Sequence, residues 1–235
     1  MNILVQPART KVEPGQCFVL WQIGWDAYEK IVEALAEHHV RTTYDRGDLE
    51  LMSPLPIHEA IKVWFGHFLL ALAIELPLRL RSMAQTTFRR RDRDRGLEPD
   101  DCYYLASFEK VADWTTLNLD RDPPPDLVLE VDITSSCLDR MEVYAGLGMP
   151  EIWRFDGEEL HVHVLNANGE YDESSTSRAL PYLPMTEVIP LLQRSLAASE
   201  SDGERIQTLC CWARERVLPL RQAWQQQPSP DEANP

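Results

Sequence analysis

The sequence predicts an α/β (α+β) fold, a mixed central β-sheet flanked by α-helices, and three features carry that expectation. Residues 126–132 (DLVLEVD) are a short apolar run launched by Pro123, Pro124 and Pro125, the pattern of a buried strand. Residues 57–76 place Ile61, Trp64, Phe65, Phe68, Leu69 and Leu72 on one broad helical stripe, which a sheet must cover. Residues 126–155 read strand, helix, strand, a β-α-β unit that implies parallel neighbours and a right-handed crossover.

The other elements follow from local signals. Residues 26–39 form a first helix, with Tyr28, Ile31, Val32 and Leu35 at helical spacing. Residues 41–53 make a hairpin turning at Arg46-Gly47-Asp48, and extended segments lie near 80–88 and 100–105. Inside the β-α-β unit, Ser136 with Asp139 has the spacing of a capping box, and Gly148 supplies the left-handed stop. Asp156-Gly157 turns strand 151–155 into strand 160–165. Ser201 and Glu204 form another capping box, ahead of Ile206, Leu209, Cys210, Ala213 and Val217. That amphipathic helix is expected to dock on the domain or to join two copies as a homodimer. The organisation is thus a domain over residues 1–195, an appended helix over 196–224 and a disordered tail over 225–235.

Composition narrows the class. A chain of 235 residues, 44% hydrophobic and 26% charged, has material for a full core. No apolar run approaches the roughly 20 residues of a membrane helix. Residues 1–11 lack the basic-then-apolar pattern of a secretory signal, so no membrane partner is expected and the cytoplasm is the expected compartment. Cys17, Cys102, Cys137, Cys210 and Cys211 are odd in number and form no C-x-x-C pair, which argues against a disulfide framework or structural zinc. They read as small buried hydrophobes. The formal net charge of −15 opposes nonspecific nucleic-acid binding, because phosphate neutralisation supplies most of that affinity. Residues 79–95 nevertheless carry Arg79, Arg81, Arg89, Arg90, Arg91, Arg93 and Arg95 against Asp92 and Asp94. Such a stretch is either a basic arm for a phosphate backbone or a solvated loop end, and charge alone favours the loop.

The chemistry concentrates on the 126–132 strand. Alternation puts Asp126, Val128, Glu130 and Asp132 on one face and Leu127, Leu129 and Val131 on the other. Buried like charges cost several kcal/mol each unless a cation, arginine or lysine compensates. Asp126, next to the prolines, reads as a strand boundary, whereas Glu130 interrupts the core run and reads as functional. Glu130 and Asp132 lie roughly 6 to 7 Å apart at Cα by strand rise, close enough to converge on one magnesium ion. If three unpaired carboxylates repel there, Glu130→Gln is expected to raise the stability of the metal-free protein.

Four pieces of the chain then matter together: Leu49-Glu50-Leu51-Met52-Ser53-Pro54 with His58, Glu98-Pro99-Asp100, Pro125-Asp126-Leu127-Val128-Leu129-Glu130-Val131, and the run from Tyr144 through Gly148, Pro150 and Glu151 to Trp153. With these, the stretch from Asp45 to Phe155 resembles the putative restriction endonuclease family of bacteria, within the PD-(D/E)xK nuclease superfamily. The resemblance implies a restriction-endonuclease-like fold and a divalent-metal-dependent endonuclease that hydrolyses phosphodiester bonds of nucleic acid, with DNA the expected substrate. Asp100 would match the PD aspartate and Glu130 the second acidic residue. Asp132 stands where that motif places its lysine. In the family the lysine has moved into the following helix, four residues before the tyrosine, and here that position is Arg140. Asp100, Glu130 and Asp132 would hold Mg2+ (or Mn2+), and Arg140 would neutralise a phosphate oxygen. His58 and Glu59 would complete the catalytic set from the start of the long helix. Arginine for lysine matters, because lysine can serve as a base while arginine stays charged.

Two other readings compete. A catalytically degenerate nuclease fold could serve as a binding module for nucleic acid or protein, which the arginine and the acidic charge both favour. Glu130-Val131-Asp132-Ile133-Thr134 also resembles the D-x-D-x-T motif of haloacid-dehalogenase-like phosphatases, although its first position is Glu and it lies mid-chain. His161 and His163 share a strand face without a third ligand nearby, and Trp64, Trp153 and Trp212 read as core or docking residues.

Overall fold

The computed structural model describes residues 15–36, 38, 40–133, 136–197 and 201–227, with the side chains of 195–197 outside that description. Residues 1–11 and all but the start of the expected tail lie outside the described residues.

Two sheets carry the architecture. The first is antiparallel throughout, in the order β1-β3-β2-β6-β5: Cys17–Leu20 (β1), Asp48–Met52 (β3), Arg41–Asp45 (β2), Arg95–Leu97 (β6) and Phe88–Arg90 (β5). Arg46 (φ 49°) and Gly47 (φ 99°) make the expected hairpin turn, both in the left-handed region that matches strand twist in a two-residue loop. The second sheet is mixed, in the order β11-β10-β9-β8-β7-β4: Tyr171–Ser174, Leu160–Leu165, Glu151–Phe155, Leu127–Val131, Asp101–Tyr104 and Arg81–Ser82. Its β8–β9 pair is parallel and is joined through helix α3 (Arg140–Leu147), so the predicted β-α-β unit is present. Helix α1 (Trp25–Leu35) ends earlier than the sequence suggests.

The two faces of β8 part as alternation requires. Leu127, Leu129 and Val131 join Ile61, Phe65, Phe68 and Leu72 of α2 (Pro56–Glu75) in one core. Val128 joins Val143, Tyr144 and Leu147 of α3, Ile152 of β9, and Phe88 and Leu97 of the first sheet in the other. At 20 residues and a mean hydropathy of 1.4, α2 is long and apolar enough to cross a membrane, against the sequence expectation. Here its apolar face covers the mixed sheet.

The C-terminal segment comprises α4 (Met185–Ala197), α5 (Asp202–Trp212), a π-helical stretch at 213–217 and α6 (Leu218–Gln225). The Ser201–Glu204 capping box forms as expected. Leu209, Ala213 and Val217 are buried in the α2 core, and Arg214 pairs with Glu75, so the amphipathic face docks on the chain itself.

Two local expectations are corrected. Asp139, not Ser136, caps α3, accepting from the backbone N–H groups of Met141 and Glu142. The Ser136 hydroxyl donates instead to Glu50, a tertiary acceptor that no local pattern could supply. Of the cysteines, Cys102 is buried as expected, but Cys137 and Cys211 are exposed.

Candidate active site

The site forms where the inner strands β2 and β3 of the first sheet meet the C-terminal end of β8. Register across β1, β3 and β2 aligns Cys17 with Met52 and Met52 with Arg41, then Val19 with Glu50 and Glu50 with Thr43. Alternation therefore puts Arg41, Thr43 and Glu50 on one face. On the other side, Asp100 immediately precedes β7, whose Asp101 pairs with Leu129, and its Oδ2 accepts the Val131 N–H at 2.5 Å. This brings Asp100 and Glu130 side by side on neighbouring strands.

Each carboxylate meets an arginine. Arg41 forms an ion pair with Asp100 and donates to Glu59 at 2.8 Å. Arg140 donates to Glu130 at 2.8 Å, to the Glu98 carbonyl at 2.9 Å and to Thr43 Oγ1 at 2.6 Å. The Tyr144 hydroxyl, one helical turn on from Arg140, donates to the same Glu130 oxygen. Arg154, opposite Glu130 in the β8–β9 register, donates from Nε to Asp132 at 2.9 Å. Asp100, Glu130 and Asp132 face one cleft of about 340 Å³ together with Arg41, Arg140 and Arg154.

Burial and charge set the protonation states. Burial opposes the charge on Arg140, but Glu130 beside it outweighs that and holds the guanidinium firmly protonated. Burial, then Glu130, pushes the Tyr144 hydroxyl far above its ordinary value, so it acts as a donor. Glu59 is held below the usual carboxylate range: burial opposes its charge, and Lys62 and Arg41 outweigh burial. His58 is held down by burial first and by Arg41 second, so its imidazole is neutral at pH 7.

The predicted residues are thus distributed unequally. Asp100, Glu130 and Arg140 come together, and Asp132 shares their cleft. Glu59 reaches them through Arg41. His58 is fully buried rather than at the helix surface, and both its ring nitrogens lack a hydrogen-bond partner among the described residues. The carboxylates do not converge on one point. Among the described residues, Cys17, Glu50 and Cys137 are the triple of potential ligands whose atoms all lie within 4.8 Å of one another.

A family profile described as Uma2, putative restriction endonuclease, matches residues 25–199. The chain belongs to this family. The match takes in every residue of the cleft and leaves out β1 and α5. A crystal structure of a putative nuclease belonging to DUF820 from Anabaena variabilis ATCC 29413 is similar over 72% of this chain and 90% of its own, at 13% identity and a TM-score of 0.38. No curated protein matches the chain significantly.

Sequence reasoning missed Arg41, whose ion pair with Asp100 completes the charge balance, and Thr43, whose hydroxyl accepts from Arg140. Arg41 begins a strand whose alternate residues are Thr43 and Asp45, and only the fold shows which face they take. The basic stretch is largely neutralised within the chain: Arg79 pairs with Glu109, Arg90 with Asp92, Arg91 with Asp26, and Arg95 with Asp45 and Glu142. That favours the solvated-loop reading over a free basic arm.

Proposed function

We propose that the cleft hydrolyses phosphodiester bonds of nucleic acid, DNA foremost, as a magnesium- or manganese-dependent endonuclease. The observation that carries this reading is that Asp100, just before β7, and Glu130, on the neighbouring β8, both line a cleft that Arg140 also lines. The donor chemistry fits, since carboxylate oxygens are what magnesium takes. Asp100, Glu130 and Asp132 would hold the ion after drawing together from their present arginine pairs, and the ion when bound lowers the pKa of a water and stabilises charge on the phosphate. Arg140 and Arg41 neutralise nonbridging phosphate oxygens and cannot act as bases. His58, neutral and without a hydrogen-bond partner among the described residues, is a group able to accept a proton. Asp132 and Arg154 orient one another at the cleft rim.

A second reading has its own support. Because each carboxylate has an arginine partner, the cleft is charge-balanced without an ion, as a binding module descended from a nuclease would be. Purified protein incubated with supercoiled DNA and with RNA, each with manganese or magnesium, separates the two. Metal-dependent nicking lost in Asp100→Ala supports the enzyme. Nicking that survives Asp100→Ala, or none at high protein concentration even for Arg140→Lys, leaves the binding module.

A further inference from the structure

We infer that Cys17, Cys137 and Glu50 form a binding site for a thiophilic divalent cation of the zinc class, next to the carboxylate cleft but with ligands of its own. Cys17 opens β1, Glu50 lies on β3, and Cys137 lies in the segment that leads into α3. The β1–β3 register pairs Cys17 with Met52, so Glu50, two residues before Met52, points to the same face. Their ligand atoms all lie within 4.8 Å of one another. Tetrahedral zinc, with bonds of about 2.3 Å to sulfur and 2.0–2.2 Å to carboxylate oxygen, brings its ligand atoms within about 4 Å of one another.

The carboxylate is pre-oriented for this task. Glu50 is 1% exposed, and its Oε2 accepts the backbone N–H groups of Cys137 at 2.5 Å and Leu138 at 3.0 Å. Oε1 meets the Ser136 hydroxyl, at 3.0 Å, which it shares with Oε2 at 2.8 Å. Backbone and hydroxyl donors thus fix a carboxylate that has an oxygen within 4.8 Å of both sulfurs, the outer support that metal-ligating carboxylates use. Cys137 is exposed and Cys17 half-buried, which opens the site to an incoming ion and leaves a fourth position for water.

The alternative use of two adjacent thiols, a disulfide, fits less well. Disulfide formation proceeds through a thiolate. The Cys17 and Cys137 sulfurs lie 2.6 Å apart in a hydrogen bond, and joining them in a disulfide breaks two S–H bonds and requires a two-electron oxidant. A divalent ion requires none: two S–H bonds break, two protons leave to solvent, and two metal–sulfur bonds form as the sulfurs move apart around the ion. Residue 137 stands three places before Arg140, so an ion here fastens the start of α3 to the first sheet.

Titration of the reduced, metal-stripped full chain with Co2+, followed by Zn2+ competition against a chromophoric chelator, tests this. One equivalent should bind with a thiolate-to-cobalt charge-transfer band and should be displaced by Zn2+. Cys137→Ser, at an exposed position, should abolish the band and weaken Zn2+ binding beyond the ~10- to 100-fold typical of outer-shell changes. Glu50→Gln should weaken it at least ~10-fold. The double variant Cys210→Ser/Cys211→Ser should bind like wild type, and excess Mg2+ should leave the band unchanged, which separates this site from the nuclease reading. Binding indifferent to Cys137→Ser overturns the inference. So does a Cys17–Cys137 disulfide in freshly purified protein that, once reduced, takes up no Zn2+.

Discussion

Asp126 and Glu130 occupy the two ends of the same strand face, yet they are satisfied in different ways. Asp126 accepts the backbone N–H groups of Leu105 at 2.6 Å and Ser107 at 2.9 Å, plus the Ser107 hydroxyl at 2.9 Å. Glu130 is held by side chains alone in these contacts, the Arg140 guanidinium and the Tyr144 hydroxyl, beside an open cleft. Backbone donors fix a loop and have nowhere else to go. A guanidinium and a phenol can re-pair when a phosphate or a metal arrives. The first carboxylate holds the chain together, and under the proposed function the second exchanges partners.

The comparison breaks most visibly at Arg140. Arg140→Ala leaves Glu130 buried without its ion-pair partner, and the loss of a buried partner costs about 3–5 kcal/mol. Urea denaturation should show a loss of that size. Arg140→Lys should recover most of it and keep or raise nicking. Glu130→Gln is next. Three like charges without partners would make this change stabilising, but Arg140 and Tyr144 reverse the sign, and a loss of roughly 1–3 kcal/mol is expected from a charge-assisted pair cut to a neutral one. A rise in denaturation midpoint would show that the arginine does not balance the carboxylate.

Asp126→Ala should cost no more than Glu130→Gln, roughly 1–3 kcal/mol from the stranded N–H groups of Leu105 and Ser107, and should leave manganese binding and nicking unchanged. The smallest effect lies at the far edge of the mixed sheet. The hydrogen bond that the His161 imidazole donates to Glu173, and a weaker one to Asp156, hold the His161 pKa above its ordinary value. A folded value above the unfolded one makes this contribution complete below about pH 6.5 and lost as pH rises through the folded value. The groups are largely exposed, so salt screens the effect. His161→Asn should flatten the stability–pH curve from about pH 6.5 upward and leave the cleft untouched.

Legibility in the sequence followed the range of the interactions. The β8 run was readable because three prolines and a left-handed Gly148 punctuate it locally, and its alternation correctly divided Leu127, Leu129 and Val131 from Val128 and Glu130. Arg140 and Tyr144 were readable through the family resemblance, four residues apart on one helix face. Arg41 was not, because its role depends on β2 pairing between β3 and β6 and on α2 arriving behind it. Strands of three residues such as β5 and β6 are too short to show a period. Ser136 was misread as a cap because Glu50, 86 positions away, outcompetes the local backbone. The Cys17–Cys137 proximity spans 120 positions and leaves no spacing signal at all.

Under the proposed function Glu130, with Asp100, is an exchangeable carboxylate that takes a hard divalent ion, while Asp126 is not. Manganese titration by calorimetry of wild type, Asp100→Ala, Glu130→Gln and Asp126→Asn tests it directly, since manganese favours oxygen donors over thiolates. The prediction is one bound ion in wild type and Asp126→Asn, and none in the other two. Equal manganese binding by all four proteins, or loss confined to Asp126→Asn, would contradict it.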